Sequence, residues 1–220
     1  VVLLKQLFPN VFIEGKNLYT KNLVHGKSFF GEKLVRQGSV EYREWSPFRS
    51  KLAAAIVLGL KELPVKPGAA VLYLGAANGY TASFVSDIVG ENGVVYCVEI
   101  SAVAMRDLIK VCEARGNMEP VLADARNPEK YVEVGRVDVL YQDVASREQR
   151  QVLESNGESF LGKGGSALVA IKSRSIDSVE EPKKIYEKFL KQISESFVVK
   201  EKINLEKFER DHLFLSLKKK

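Results

Sequence analysis

Only two cysteines, Cys97 and Cys112, occur in 220 residues, and both lie in apolar segments. That excludes a disulfide framework and points to buried thiols in a reducing compartment. Histidine is equally scarce: His25 and His212 are too few to build a Cys/His zinc site, and no metal is expected. No apolar run approaches the roughly 18 residues at which a membrane helix becomes a candidate. The opening VVLLKQLFPN is too short and wrongly flanked for a signal peptide. Internal repeats and low-complexity tracts are missing as well. What is present is 45% hydrophobic and 28% charged, the composition of a folded soluble chain.

The net charge is +5, and it is unevenly placed. Residues 1–55 carry nine Lys and Arg against four Asp and Glu, whereas the remainder is balanced at 24 each. The excess includes Lys5, Lys16, Lys21, Lys27, Lys33, Arg36, Arg43 and Arg49, with few aromatics between them. This pattern suits salt-sensitive, sequence-blind contact with a polyanion backbone and not a base-reading sheet. An ordinary solvated surface accounts for the same counts.

Two kinds of patterning divide the chain near Trp45. Over 1–45, short β-like runs at Val11–Glu14, Asn17–Thr20 and Ser39–Glu44 are punctuated by glycines, as in a small antiparallel sheet. From 46 to 220, Ser46-Pro47 reads as the start of a helix over Phe48–Leu63. Strand runs follow at Ala70–Leu74, Val94–Val98, Pro120–Ala123, Val137–Gln142 and Ala167–Ile171. Helical periodicity over Thr81–Val89, Ala102–Arg115, Arg147–Phe160 and Val179–Ser194 alternates with them. Phe197–Leu205 and Leu213–Leu217 stand too close together for a parallel crossover, so they should pair as a hairpin. The Lys218–Lys220 tail reads as frayed. The sum is an α/β chain with a mostly parallel sheet covered on both faces.

Sheets of this kind bind ligands beyond the carboxyl ends of their strands. The first strand runs into Leu74-Gly75-Ala76-Ala77-Asn78-Gly79, where small residues leave the backbone open to a ligand. The spacing is not G-x-G-x-x-G, which weakens a dinucleotide reading. Glu99, Asp124 and Asp143 end the next three parallel strands. A carboxylate at Glu99 can accept from two ribose hydroxyls, and one at Asp124 from an adenine amino group. Taken singly, each such acid is more often a helix cap or loop residue. Converging on one crevice without a phosphate cradle, they favour S-adenosylmethionine. Gly157–Gly164 nearly fits a P-loop, but Gly164 replaces the magnesium-binding Ser or Thr and the strand–helix order is reversed. It reads as a helix C-cap and turn.

Several segments carry a family likeness: Lys21–Val24, Glu41–Ala55 (EYREWSPFRSKLAAA), Leu72–Gly79, Asp124-Ala125-Arg126 and Glu209-Arg210-Asp211-His212. Together they resemble the fibrillarin family, from about residue 10 to the end. With no Gly/Arg-rich N-terminal stretch, the chain looks like the archaeal form. The resemblance implies a Rossmann-like methyltransferase fold, a seven-stranded sheet with its last strand antiparallel, beside the small β domain. It implies RNA-guided ribose 2′-O-methylation of rRNA and tRNA from S-adenosylmethionine, inside a box C/D ribonucleoprotein in the cytoplasm of an archaeal cell. Its implied partners are guide and substrate RNA, a Nop-family coiled-coil scaffold and a kink-turn-binding protein related to ribosomal proteins, with no membrane. By motif, Gly75, Ala76, Ala77, Gly79, Thr81 and Ala82 would meet the cofactor. Glu99 and Ile100 would hold its ribose and Asp124 and Ala125 its adenine. Asp143, Val144, Ala145 and Ser146 would hold its methionine side. The chain departs from the family's usual residues at Asn78, Tyr80 and Ser146.

A ribose hydroxyl must lose its proton as it attacks the methyl carbon. The family resembles other RNA 2′-O-methyltransferases that use a Lys-Asp-Lys set, and the matching positions here are Lys51, Asp143, Lys172 and His212. Lys172 ends a strand at the ligand edge and is the better base candidate, with Asp143 beside it. Either a lysine or an aspartate can accept the proton at this stage. Lys51 can equally be a solvated helix residue, and His212 a structural one. Phe29, Phe30, Trp45 and Phe48 are candidates for the scaffold surface, although core packing is the plainer reading of each. The competing functions are a non-catalytic scaffold subunit, a free-standing methyltransferase on another acceptor and, most weakly, a nicotinamide-dependent dehydrogenase.

Overall fold

Five short strands open the chain: β1 (Lys5–Phe8), β2 (Val11–Glu14), β3 (Asn17–Lys21), β4 (Leu34–Gln37) and β5 (Val40–Trp45). They form one antiparallel sheet in the order β1-β2-β3-β5-β4. The computed structural model describes residues 4–220; Val1–Leu3, on which the signal-peptide reading and the start of the 1–45 unit partly rest, lie outside them. The expected strands are β2, β3 and β5. The two edge strands, β1 and β4, were not legible because they bury too few side chains to show a period of two.

The small sheet is bolted to the rest through charge. Arg43 of β5 is fully buried, so it cannot serve among the polyanion-facing basic residues. Its guanidinium lies 2.8 Å from Glu32 and 2.8 Å from Asp87, and it stacks 4.1 Å over the Phe84 ring. Trp45, at the end of β5, stacks on Phe84 at 5.1 Å and is itself core. Phe29 and Phe30 pack against the same core, and only Phe48 of the four aromatic candidates is exposed.

Helix α1 spans Lys51–Val57, shorter at both ends than the predicted Phe48–Leu63. Ser50, not Ser46, caps it by accepting from the Ala53 N–H. At the other end Gly59 takes φ +103°, a conformation that stops the helix despite the leucines beyond it.

The main sheet contains β6 (Ala70–Leu74), β7 (Val94–Glu99), β8 (Met118–Leu122), β9 (Val137–Gln142), β10 (Leu161–Lys172), β11 (Phe197–Asn204) and β12 (His212–Lys219). Its order is β11-β12-β10-β9-β6-β7-β8. β6 to β10 run parallel, and β12 is antiparallel to both β10 and β11, as the terminal hairpin requires. Between the strands lie α2 (Tyr80–Val89), α3 (Ala102–Arg115), α4 (Gln149–Phe160), the short α5 (Ser173–Ile176) and α6 (Pro182–Ile193). Strand residues alternate between two cores. Tyr73, Tyr141 and Phe214 face α1, α2, α3 and the small sheet, whereas Leu72, Leu140 and Leu215 face α4 and α6. Both cysteines sit in the first core as free thiols, and burial pushes Cys97 well above its usual range.

Two local expectations are corrected. The Gly157–Gly164 segment holds the C-cap of α4 at Leu161, as expected, but it passes directly into β10 and makes no turn. Its glycines form an irregular stretch where pairing with β9 skips from Leu161↔Val137 to Ser166↔Val139. The C-terminal lysines are also not frayed. The Lys219 amine donates to the carbonyls of Gly157 and Leu161, each at 2.8 Å, and Lys220 donates to Ser194. These amines tie the C-terminus to carbonyls at the ends of α4 and α6.

Candidate active site

β6 has β7 on one side and β9 on the other, so strand order reverses between β6 and β9. At the carboxyl ends of these strands opens a cleft of about 480 Å³, within the range of small-molecule sites. Its wall contains Gly75, Ala77, Glu99, Ile100, Asp124, Ala125, Asp143, Val144, Ala145, Ser146 and Lys172. The sequence reading picked out all of these. Ala76, Thr81 and Ala82 are buried behind the wall, and Gly79 caps α2 from there. Thr81 still bears on the site, because its hydroxyl donates to Ser50 at 3.1 Å and thereby fixes the start of α1, where Lys51 sits.

Gly75 shapes the floor. It takes φ +82°, and a Cβ there would stand 2.7 Å from the Asp143 carbonyl oxygen. The loops after β6 and β9 touch backbone to backbone only because this residue has no side chain.

The three strand-end acids differ in how they are held. Glu99 Oε2 accepts from the Ala77 N–H and Oε1 from the Ser101 N–H, each at 2.8 Å. Each oxygen keeps one lone pair for a ligand. Asp124 is occupied instead. Arg126 reaches it through Nε at 2.9 Å and Nη2 at 2.6 Å, and through its own backbone N–H at 2.9 Å. This clasp holds the Asp124 carboxyl below its usual range. Arg126 also reaches Glu148 at 3.2 Å.

Asp143 lies between two ammonium groups. Lys51 Nζ is 3.3 Å from Oδ2, and Lys172 Nζ is 3.0 Å from Oδ1. The Lys172 amine hydrogen-bonds the Asp143 carbonyl at 3.2 Å, and its contact with Oδ1 is an ion pair off the hydrogen-bond axis. All three side chains are under one-fifth exposed, which strengthens each charge on its neighbours. His212, the first residue of β12, pairs with Lys172 across the strands. Burial and the Lys51 charge push its imidazole below its usual range, while its Nδ1 meets the Arg210 carbonyl at 2.6 Å. The ring is therefore neutral near pH 7. The four residues Lys51, Asp143, Lys172 and His212 thus come from α1, β9, β10 and β12 to one place.

A family model described as fibrillarin matches residues 2–220. The chain belongs to the fibrillarin family. The fibrillarin-like rRNA/tRNA 2′-O-methyltransferase of Pyrococcus furiosus is 44% identical over 221 residues, covering 98% of this chain and 97% of that protein. Aeropyrum pernix fibrillarin, crystallised with natively bound S-adenosylmethionine, superposes with a TM-score of 0.87 at 42% identity, covering 99% of this chain and all of that one. A fibrillarin crystallised in complex with Nop5p superposes with a TM-score of 0.91 at 40% identity, covering 98% and 100%. The fibrillarin fold is the Rossmann-like methyltransferase fold, with the antiparallel last strand seen in β12.

This fibrillarin-family site has parts that the sequence did not reveal. Val98, Ala123 and Val152 complete the apolar wall, and Arg126 its polar rim. Arg126 had a signal, since an Asp-x-Arg spacing lets the side chain fold back on the acid. Gln149 had none. It is fully buried, its Oε1 accepts from the Lys172 N–H at 3.0 Å, and its Nε2 donates to the Lys172 carbonyl at 3.0 Å. The same Nε2 donates to the Ser146 carbonyl at 2.9 Å, tying the end of β10 to the rim of the cleft.

Proposed function

We propose that this chain transfers the methyl group of S-adenosylmethionine to a ribose 2′-hydroxyl of rRNA or tRNA. The reaction takes place in a box C/D ribonucleoprotein of an archaeal cytoplasm, where a guide RNA selects the nucleotide. A Nop-family scaffold and a kink-turn-binding protein complete the particle. The observation that carries the reading is Asp143 held between Lys51 and Lys172 at the end of the cleft.

When bound, the cofactor supplies a methyl group already activated on a sulfonium, so the protein mainly orients and deprotonates. The residues of the cleft fit it. Glu99 has two free lone pairs for vicinal ribose hydroxyls, and Ile100, 62% exposed at the rim, borders the same ribose position. Asp124 receives the adenine amino group once Arg126 withdraws toward Glu148. Lys172 takes the proton from the 2′-hydroxyl as the neutral amine, its ammonium proton having first passed to solvent; Asp143 holds the amine in place, and Lys51 holds the ribose or its phosphate. Neutral His212 borders this set and steers the hydroxyl. The small sheet over 1–45 and the methyltransferase unit over 46–220 form the working division of the chain.

Gly75→Ala tests the cleft directly. Strain at a left-handed residue costs about 1–3 kcal/mol, and the Cβ collision with Asp143 adds to it. S-adenosylhomocysteine should bind roughly tenfold or more weakly by titration calorimetry. Unchanged affinity would remove the cofactor from this cleft.

The function itself is tested by labelled methyl transfer to a guide-paired RNA in the assembled particle. Transfer should occur on the ribose target and vanish on a target carrying a 2′-deoxy nucleotide. Transfer that persists on the deoxy target would place the methyl elsewhere.

A further inference from the structure

One large apolar side chain near the site remains unexplained by the cofactor cleft. Phe48 is 70% exposed, although it sits only three residues before Lys51. Its ring meets the edge of Phe208 at 5.1 Å and an interplanar angle of 74°. Phe208 is half-buried against the core and belongs to the turn leading into His212. The turn is firm, because the N–H groups of Phe208 and Glu209 both bond the Leu205 carbonyl at 2.8 Å. The aromatic pair therefore bridges the two segments that deliver Lys51 and His212. None of these four residues lines the cofactor cleft. They stand outside it, at the Lys51 and His212 end of the site.

We propose that the Phe48–Phe208 pair is the docking wall for the acceptor, receiving the sugar edge of a base-paired RNA in its shallow minor groove. The proposal rests on the function proposed above. A paired strand hides its bases in the stack but displays riboses and 2′-hydroxyls across a wide, shallow minor groove. The C–H faces of those sugars suit a projecting aromatic ring, and the phosphates beside them suit cations. Arg49 and Lys207 supply the cations; residues 46–51 contain no acid, whereas the turn around Phe208 carries Glu206, Glu209 and Asp211 beside Lys207 and Arg210. Lys207 lies 5.7 Å from the Phe208 ring, and Arg49, the residue after Phe48, is held over Tyr80 at 4.1 Å. The wall sets the angle at which a ribose meets Lys172. Guide pairing sets the affinity.

The consequence is a loss in rate and not in binding. In the assembled particle, Phe48→Ala should lower the methylation rate at saturating target at least tenfold. The affinity for S-adenosylhomocysteine and the apparent KM for target should change less than threefold. Phe48→Trp should retain most of the rate. An exposed ring contributes little to folding, so the melting temperature should hold. The wild-type particle is the control for the function: no transfer there would defeat the methyltransferase reading, whatever Phe48 does. Wild-type transfer with an undiminished Phe48→Ala rate would overturn the docking wall alone. Loss of scaffold association by Phe48→Ala in size-exclusion chromatography would also overturn it, assigning the ring to a protein interface.

Discussion

Lys172→Ala abolishes methyl transfer while S-adenosylhomocysteine still binds within about threefold of wild type. The expectation follows from where the amine stands. General-base contributions are worth roughly 10²–10⁴ in rate, and Lys172 is the amine at the wall of the cleft. Its Nζ is held on both the carboxylate and the carbonyl of Asp143, and its backbone is locked by Gln149. Two lysines on one carboxylate leave a net positive cluster, so a purely electrostatic role has to be separated from proton transfer. Lys172→Arg does this. A guanidinium keeps the charge and can reach Asp143, but it does not take up a proton. If Lys172 is the base, arginine fails as alanine does, with single-turnover rates down by roughly 10²–10⁴ in both. Substantial activity in the arginine variant would move the proton to Asp143 and leave Lys172 a source of charge.

What could be read from the sequence, and what could not, follows the same physics. Strand-end acids are legible because an apolar run that stops on a carboxylate marks both the strand and its open end. Glu99, Asp124 and Asp143 were found that way, and they share a cleft. The terminal hairpin was legible because the link between β11 and β12 is too short for a crossover. Properties set by the far side of a contact were hidden. Arg43 looks like a surface cation until Asp87, 44 residues away, is placed against it. Gln149 looks like a polar helix residue until the end of β10 arrives. Phe48 and Trp45 carry the same kind of side chain in the same motif, yet one is exposed and the other fully buried. Trp45 ends β5 and is covered by Phe84, whereas Phe48 lies in the segment before α1. The extent of α1 was misread because the leucine pattern runs on past Gly59, and a hydrophobic period has no way to register a left-handed residue.

The largest effect on folding should come from Asp87, far from the chemistry. Its carboxylate is fully buried and serves three segments at once. It accepts from Thr20 at 2.7 Å and from the Leu23 N–H at 3.0 Å on the small sheet, and it pairs with Arg43 of β5 and Arg115 of α3. With Glu32 the group is neutral, two acids against two guanidiniums. Desolvation lowers the Arg115 pKa, and Asp87 is the main charge opposing that shift. Removing one partner of a buried ion pair costs about 3–5 kcal/mol, because the other charge is stranded. Asp87→Ala strands Arg115 and leaves Arg43 with Glu32 alone. At about 2–4 °C per kcal/mol for a chain of this size, the melting temperature should fall by roughly 6–20 °C. Thr20→Val removes one hydrogen bond to the same carboxylate and should cost about 1 kcal/mol. Acid should act on the same joint. Burial raises Glu32, but Arg43 and the N–H groups of Phe29 and Phe30 outweigh it, so its pKa is lowered. The Gly26 N–H, with Asn22 and Arg36, lowers Glu41 as well. A depressed carboxylate contributes stability that is complete above its unfolded value, about 4.3, and is lost as pH falls through the native one. Thermal melts should therefore drop below about pH 4.3, with the small sheet's signals leading. If Asp87→Ala melts within about 2 °C of wild type, the buried charges are not what joins the small sheet to the methyltransferase unit, and the Trp45–Phe84 stack must hold it instead.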